Sequence, residues 1–91
     1  MILITEFMDE LAVRKLKERY EVTYDPSLVK NQSAILKLIG DVRAIIVRNR
    51  TLVTKELIQN ASSLTCVGRL GVGLDNIDLA ACQKQNISVY P

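Results

Sequence analysis

At 91 residues and a formal net charge of +2, the chain is one domain at most, and its near-neutral balance argues against nucleic acid or an anionic membrane as the main partner. Histidine is absent and the two cysteines, Cys66 and Cys82, form no C-x-x-C, so imidazole acid–base chemistry is excluded and no metal site is expected. No apolar run reaches the length of a membrane span, and the start at Met1 to Ile4 lacks the length and basic flank of a signal peptide, so the expected compartment is the cytoplasm.

In chain order, Ile2-Leu3-Ile4 is a short apolar run of the kind found in a central parallel strand. From Asp9 to Arg19 the spacing predicts a helix with Met8, Leu11, Ala12 and Leu16 on its apolar side and Glu10, Arg14, Lys17 and Glu18 opposite. Tyr20 to Tyr24 alternates like an edge strand, and Asp25-Pro26-Ser27 stops it because proline cannot donate to a ladder. A second helix is expected over Gln32–Leu38, capped by Asn31 or Ser33, ended by Gly40, and burying Ile35, Leu38 and Ile39. Ala44–Val47 reads as a β-branched third strand that breaks off at the polar Arg48-Asn49-Arg50-Thr51. Thr54 caps a short helix with Leu57, Ile58 and Ala61 inward, and Leu64–Val67 is the fourth strand. Asp78 caps a helix from Leu79 to about Lys84, and Ile87–Tyr90 is the fifth strand. Cys66 and Cys82 fall on a strand and a helix, as small buried hydrophobes.

Strands alternating with helices through short connections predict right-handed βαβ units. The expected fold is α/β and flavodoxin-like, a five-stranded parallel sheet of order 2-1-3-4-5 with helices on both faces. Strands three and four are then neighbours, and their carboxyl ends bring Arg48-Asn49-Arg50 beside the segment Gly68 to Gly73. Three of the four glycines, Gly68, Gly71 and Gly73, lie within that segment. It is not a dinucleotide fingerprint, since the third glycine of G-x-G-x-x-G would fall at Asn76. Three guanidinium groups and a nest of backbone N–H donors suit a small dianion instead. Plainer roles stay open: a tight turn would account for the glycines, solvation for Arg50, and helix capping or a partner chain for Arg69. Asp75, Asn76 and Asp78 read as capping and Asx-turn residues.

The segments Ile45–Thr51 and Leu64–Asp78, in this order, resemble the amino-terminal part of the D-isomer-specific 2-hydroxyacid dehydrogenases, within them the D-3-phosphoglycerate dehydrogenase branch. The resemblance runs along the whole chain. It implies that residues 1–91 are a substrate-binding (catalytic) domain fragment whose full-length parent uses NAD or NADP on a small anionic 2-hydroxyacid or 2-oxoacid, such as 3-phosphoglycerate or sulfolactate. It further implies that the loop of Gly71, with the N–H groups of Val72 and Gly73, holds the substrate carboxylate. Arg48 and Asn49 would face the far end of the substrate, Arg69 would help bind the anion, in some members across a subunit boundary, and Val72 would lie near the nicotinamide. Asn49 stands where serine is often found, which leaves the second acidic group open.

In such enzymes a separate nucleotide-binding domain carries the arginine, glutamate and histidine that orient the carboxylate and shuttle the proton. That domain is absent from this chain, so no catalytic residue and no bound cofactor are expected in it, and the chain alone should not turn over. The parent is expected to be a homo-oligomer. In the family a carboxyl-terminal segment packs back on this domain, so the isolated piece should expose apolar surface and self-associate, as sedimentation at high concentration would show. A stand-alone anion-binding module of the same fold is the alternative. A signalling receiver domain is a poorer one, since only Glu6 and Asp9 follow the first strand and Arg48, not aspartate, follows the third.

Overall fold

The apolar runs become five short strands, β1 (Ile2–Ile4), β2 (Val22–Tyr24), β3 (Ala44–Val47), β4 (Cys66–Arg69) and β5 (Ser88–Tyr90), in a computed structural model that describes all residues from 1 to 91. Between them lie α1 (Glu10–Lys17), α2 (Gln32–Leu38), α3 (Lys55–Gln59) and α4 (Leu79–Lys84). Every pairing is parallel and the order is β2-β1-β3-β4-β5, as expected. No helix is long and apolar enough to cross a membrane.

The chain reverses its direction of travel across the sheet after β2. Right-handed crossovers therefore put α1 on one face and α2, α3 and α4 on the other. The core lies on the three-helix face, where Leu3, Ile45, Val47 and Val67 of the sheet join Ile35 of α2 and Ile39 just beyond it, Leu57 and Ile58 of α3 and Cys82 of α4 in one buried cluster. Burial pushes the Cys82 thiol up, and the Asp78 carboxylate adds to it. The opposite face has only α1 to cover it. There Ala44, Ile46, Cys66, Gly68 and Tyr90 line an open hollow of ≈ 550 Å³.

Several expectations shift with this packing. Cys66 lies on the open face and is half-buried, not buried. In α1 the buried residue is Val13, while Leu11 is 62% exposed. Two residues at about 100° each place Leu11 on the far side of the helix from Val13. Ile35 of α2 and Ile39 at its C-cap lie one turn apart on the same side and are fully buried, whereas Leu38 is turned outward. Asn31, not Ser33, caps α2, its Oδ1 accepting from the Ala34 N–H at 3.1 Å. Gly40 is no left-handed terminator; the helix tightens into a 3₁₀ turn over Ile39–Asp41. A further 3₁₀ turn over Pro26–Lys30, capped by Asp25, was not legible in the apolar pattern. The caps expected at Thr54 and Asp78 are both made, to the N–H groups of Leu57 and Ala81.

Candidate functional site

Because β3 and β4 are parallel neighbours, the loops that leave them start side by side. Val47 stands opposite Arg69, and the Leu70 N–H donates to the Val47 carbonyl at 2.9 Å. Strand β4 thus begins and ends two residues later than expected. Gly68 sits in the ladder opposite Ile46, and the glycine loop proper begins at Leu70.

Past the strand ends the two loops remain joined. The Val53 N–H donates to the Asn76 carbonyl and the Asp78 N–H to the Val53 carbonyl, each at 2.9 Å. The Asn76 side chain completes the seam, its Nδ2 donating to the carbonyls of Arg48 and Thr51 at 2.8 Å each. Asn76 is buried and bridges the loops, so the expected Asx-turn role is incorrect; the side chain is used across the site and not on its own backbone. Asp75 is exposed. Arg48 and Gly71 to Gly73 accordingly lie at the same end of the sheet on loops that are bonded to each other.

The other side of the Arg48 loop is held by β1. Glu6 is buried directly beyond that strand, and its carboxylate accepts from three backbone N–H groups: Arg48 and Thr51 at 2.8 Å and Arg50 at 3.2 Å. The preceding residue, Thr5, shares a buried hydroxyl–hydroxyl bond of 2.8 Å with Thr51. Burial alone pushes the Glu6 carboxyl up, but the hydrogen bonds from Thr51, Arg48 and Arg50 together outweigh it and lower the value below its usual one. Glu6 thus takes the donors of the loop and Asn76 takes its acceptors. Asp9, the other acid after β1, caps α1 through the Ala12 N–H. Neither carboxylate is free to form the acidic pair that a receiver domain needs.

The glycine loop has its own support. Gly71 adopts φ 122°, and the Arg69 guanidinium lies against it, with Nη1 donating to the Leu70 carbonyl at 2.7 Å. Arg69 Nε is buried without a partner. A Cβ at Gly71 would collide with Arg69 Nη1, whereas one at Gly73 would meet Nη2 at an ordinary 3.4 Å. Replacing Gly71 with alanine is therefore expected to cost about 1–3 kcal/mol or remodel the loop, because an L side chain is strained at that φ. Gly73→Ala should leave thermal stability within about 0.5 kcal/mol of the parent, the usual range at unstrained surface positions. Equal effects of the two changes in thermal melts would refute this reading.

The backbone N–H groups of Gly71, Val72 and Gly73 have no acceptor within the chain. Val72, between them, is 94% exposed. Arg48, Asn49 and Arg50 are all exposed at the end of β3. The Arg48 guanidinium leans toward β1, with its Cζ 6.0 Å from the centroid of the Phe7 ring, while Arg69 stays under the loop of β4. The three guanidinium groups therefore do not converge on one point as the linear pattern suggested; Arg48 and Arg69 flank the end of β3 from two sides. The candidate site presents two sets of donors chemically suited to an anion, a row of free N–H groups and an arginine, on one bonded frame.

A dinucleotide diphosphate does not fit this frame. The position that a third fingerprint glycine would take is Asn76, buried and bonded to two carbonyls, and the hollow behind Gly71 and Gly73 is filled by Arg69. No group of three or more His, Cys, Asp or Glu side chains is placed to hold a metal ion.

Residues 2–91 match the family model described as D-isomer specific 2-hydroxyacid dehydrogenase, catalytic domain. The chain is 51% identical over 90 residues to the (S)-sulfolactate dehydrogenase of Chromohalobacter salexigens, covering 99% of this chain and 29% of that protein. It is 39% identical over 88 residues to the D-3-phosphoglycerate dehydrogenase of Methanocaldococcus jannaschii, covering 97% of this chain and 16% of the relative. Among solved structures, the NAD⁺-bound 3-phosphoglycerate dehydrogenase of Entamoeba histolytica superposes with a TM-score of 0.83 at 27% identity, over 97% of this chain and 31% of that one. This chain thus spans less than a third of the length of each of these proteins. With its sheet order, its joined loops and a match from residue 2 to residue 91, the chain belongs to the D-isomer specific 2-hydroxyacid dehydrogenase catalytic domain family.

Proposed function

We propose that this chain is the substrate-binding part of an NAD(P)-dependent oxidoreductase that interconverts a D-2-hydroxyacid and the corresponding 2-oxoacid, on a substrate with a second acidic group. The observation that carries the reading is the joined pair of receptors: unpartnered N–H groups at Gly71, Val72 and Gly73 on a loop tied through Asn76 to the loop of Arg48. The N–H groups take the substrate carboxylate, and Arg48 with Asn49 takes the acidic group at the other end. Two of the relatives are named for acids of that kind, sulfolactate and 3-phosphoglycerate.

In this reading Arg69 shapes the loop from behind and adds positive charge to it. Val72 offers an apolar, fully accessible surface to the nicotinamide. The dinucleotide supplies hydride when bound, and its diphosphate is held by residues outside this chain. The residues present bind and orient the substrate. Glu6 is no proton donor, since its carboxylate is committed to three backbone N–H groups.

The direct test is turnover by the full-length protein. Oxidation of 3-phosphoglycerate or sulfolactate with NAD⁺ or NADP⁺, or reduction of the matching 2-oxoacid, is expected there and not in the 91-residue piece. Binding of these acids by the full-length protein without turnover would favour the anion-binding module.

A further inference from the structure

The side chain that lies against Arg48 comes from the segment just beyond β1, which contributes nothing to the site in the linear pattern. Phe7 follows the buried Glu6 and is 63% exposed, so its ring is open to a neighbour at the surface. That neighbour is Arg48. Its Cζ lies 6.0 Å from the Phe7 ring centroid, and its Nη1 donates, at a long 3.5 Å, to the Phe7 carbonyl. The backbone of Arg48 is fixed from two directions, by Glu6 on its N–H and by Asn76 on its carbonyl. The side chain has no such anchor apart from Phe7. An exposed arginine otherwise samples many rotamers, and ordering it costs free energy at the moment of binding.

We propose that Phe7 is a specificity-determining residue of the substrate site: the face of its ring holds the Arg48 guanidinium in place as the receptor for the second acidic group. A planar cation resting on an aromatic face keeps its edge N–H groups free to bond an oxyanion. Phe7 therefore acts through Arg48 and favours substrates with two acidic groups over those with one. The proposal rests on the substrate reading given above.

The test uses the full-length enzyme and two probes, a 2-hydroxyacid with a second acidic group (3-phosphoglycerate or sulfolactate, whichever is turned over) and D-lactate, which has a methyl group there. In Phe7→Leu, which keeps apolar bulk and removes the ring face, KM for the diacid should rise about two- to fivefold, the range expected for an exposed cation–π contact. Under the same change kcat for the diacid and KM for D-lactate should stay within experimental error. Phe7→Tyr keeps the face and should restore the parental KM. Equal rises in KM for both probes, or a parental KM in Phe7→Leu, would overturn the role of Phe7. If the parental enzyme turns over neither probe, the substrate reading itself fails, which is a distinct result.

Discussion

Replacing Glu6 with alanine is expected to lower the unfolding free energy at pH 7 by on the order of 3–5 kcal/mol. The change strands three N–H groups, those of Arg48, Arg50 and Thr51, in a region where the acceptor itself is only 4% exposed. An unsatisfied buried donor costs about 1–3 kcal/mol, and water reaching the two part-buried donors, at Arg48 and Arg50, offsets part of the sum. Against the roughly 5–15 kcal/mol that holds a small domain together, this is a large fraction. Urea denaturation read by circular dichroism gives the number directly, and a loss below about 1 kcal/mol would mean that the loop repacks without its acceptor.

The same residue gives a pH dependence with a definite sign. In the folded chain the Glu6 carboxyl lies below its ordinary 4.5, because the N–H groups of Thr51, Arg48 and Arg50 together outweigh the effect of burial. A group depressed on folding contributes stability that is fully present above the unfolded value and is lost as pH falls through the folded one. Stability should therefore decline below pH 4.5, and Glu6→Gln, which cannot titrate, should show a flatter decline from a lower start. Parallel curves for the two proteins would exclude Glu6 as the source.

Replacing Arg48 with alanine in the full-length enzyme should raise KM for a diacid substrate by roughly one to two powers of ten, if one charge-assisted hydrogen bond worth about 1.5–3 kcal/mol is lost. Little of this can arise from unfolding. The Arg48 side chain is exposed, and the contacts that hold the loop belong to its backbone N–H and carbonyl, which alanine retains. Lysine at this position keeps the charge but not the planar fork, so its KM should fall between the two. An unchanged KM for the alanine variant would show that Arg48 does not touch the substrate.

The strand order and the neighbouring ends of β3 and β4 were legible because apolar runs, turn residues and crossover handedness all point the same way. So were the caps at Thr54 and Asp78, where a short polar side chain precedes a helical pattern. The fourth strand was misplaced by two residues because Gly68 and Arg69 look like loop in a linear pattern, yet pair in register with Ile46 and Val47. Glu6 and Asn76 were harder still. Their partners are backbone groups 42 and 28 residues away for Arg48, and a backbone N–H or carbonyl has no signature in the sequence. A charged residue flush against a buried strand, as Glu6 is, was the one available sign, since an ionised group there needs compensation. Phe7 was overlooked because its neighbour, Arg48, becomes one only when β1 and β3 pair.

The seam between Val53 and the segment Asn76 to Asp78 couples the two arms of the candidate site, so that parting them breaks its hydrogen bonds. Under the proposed function, an acid would meet a jaw whose two sides are already joined, so less affinity would be spent on arranging it. Under the same reading, any opening and shutting would carry both loops together as one piece.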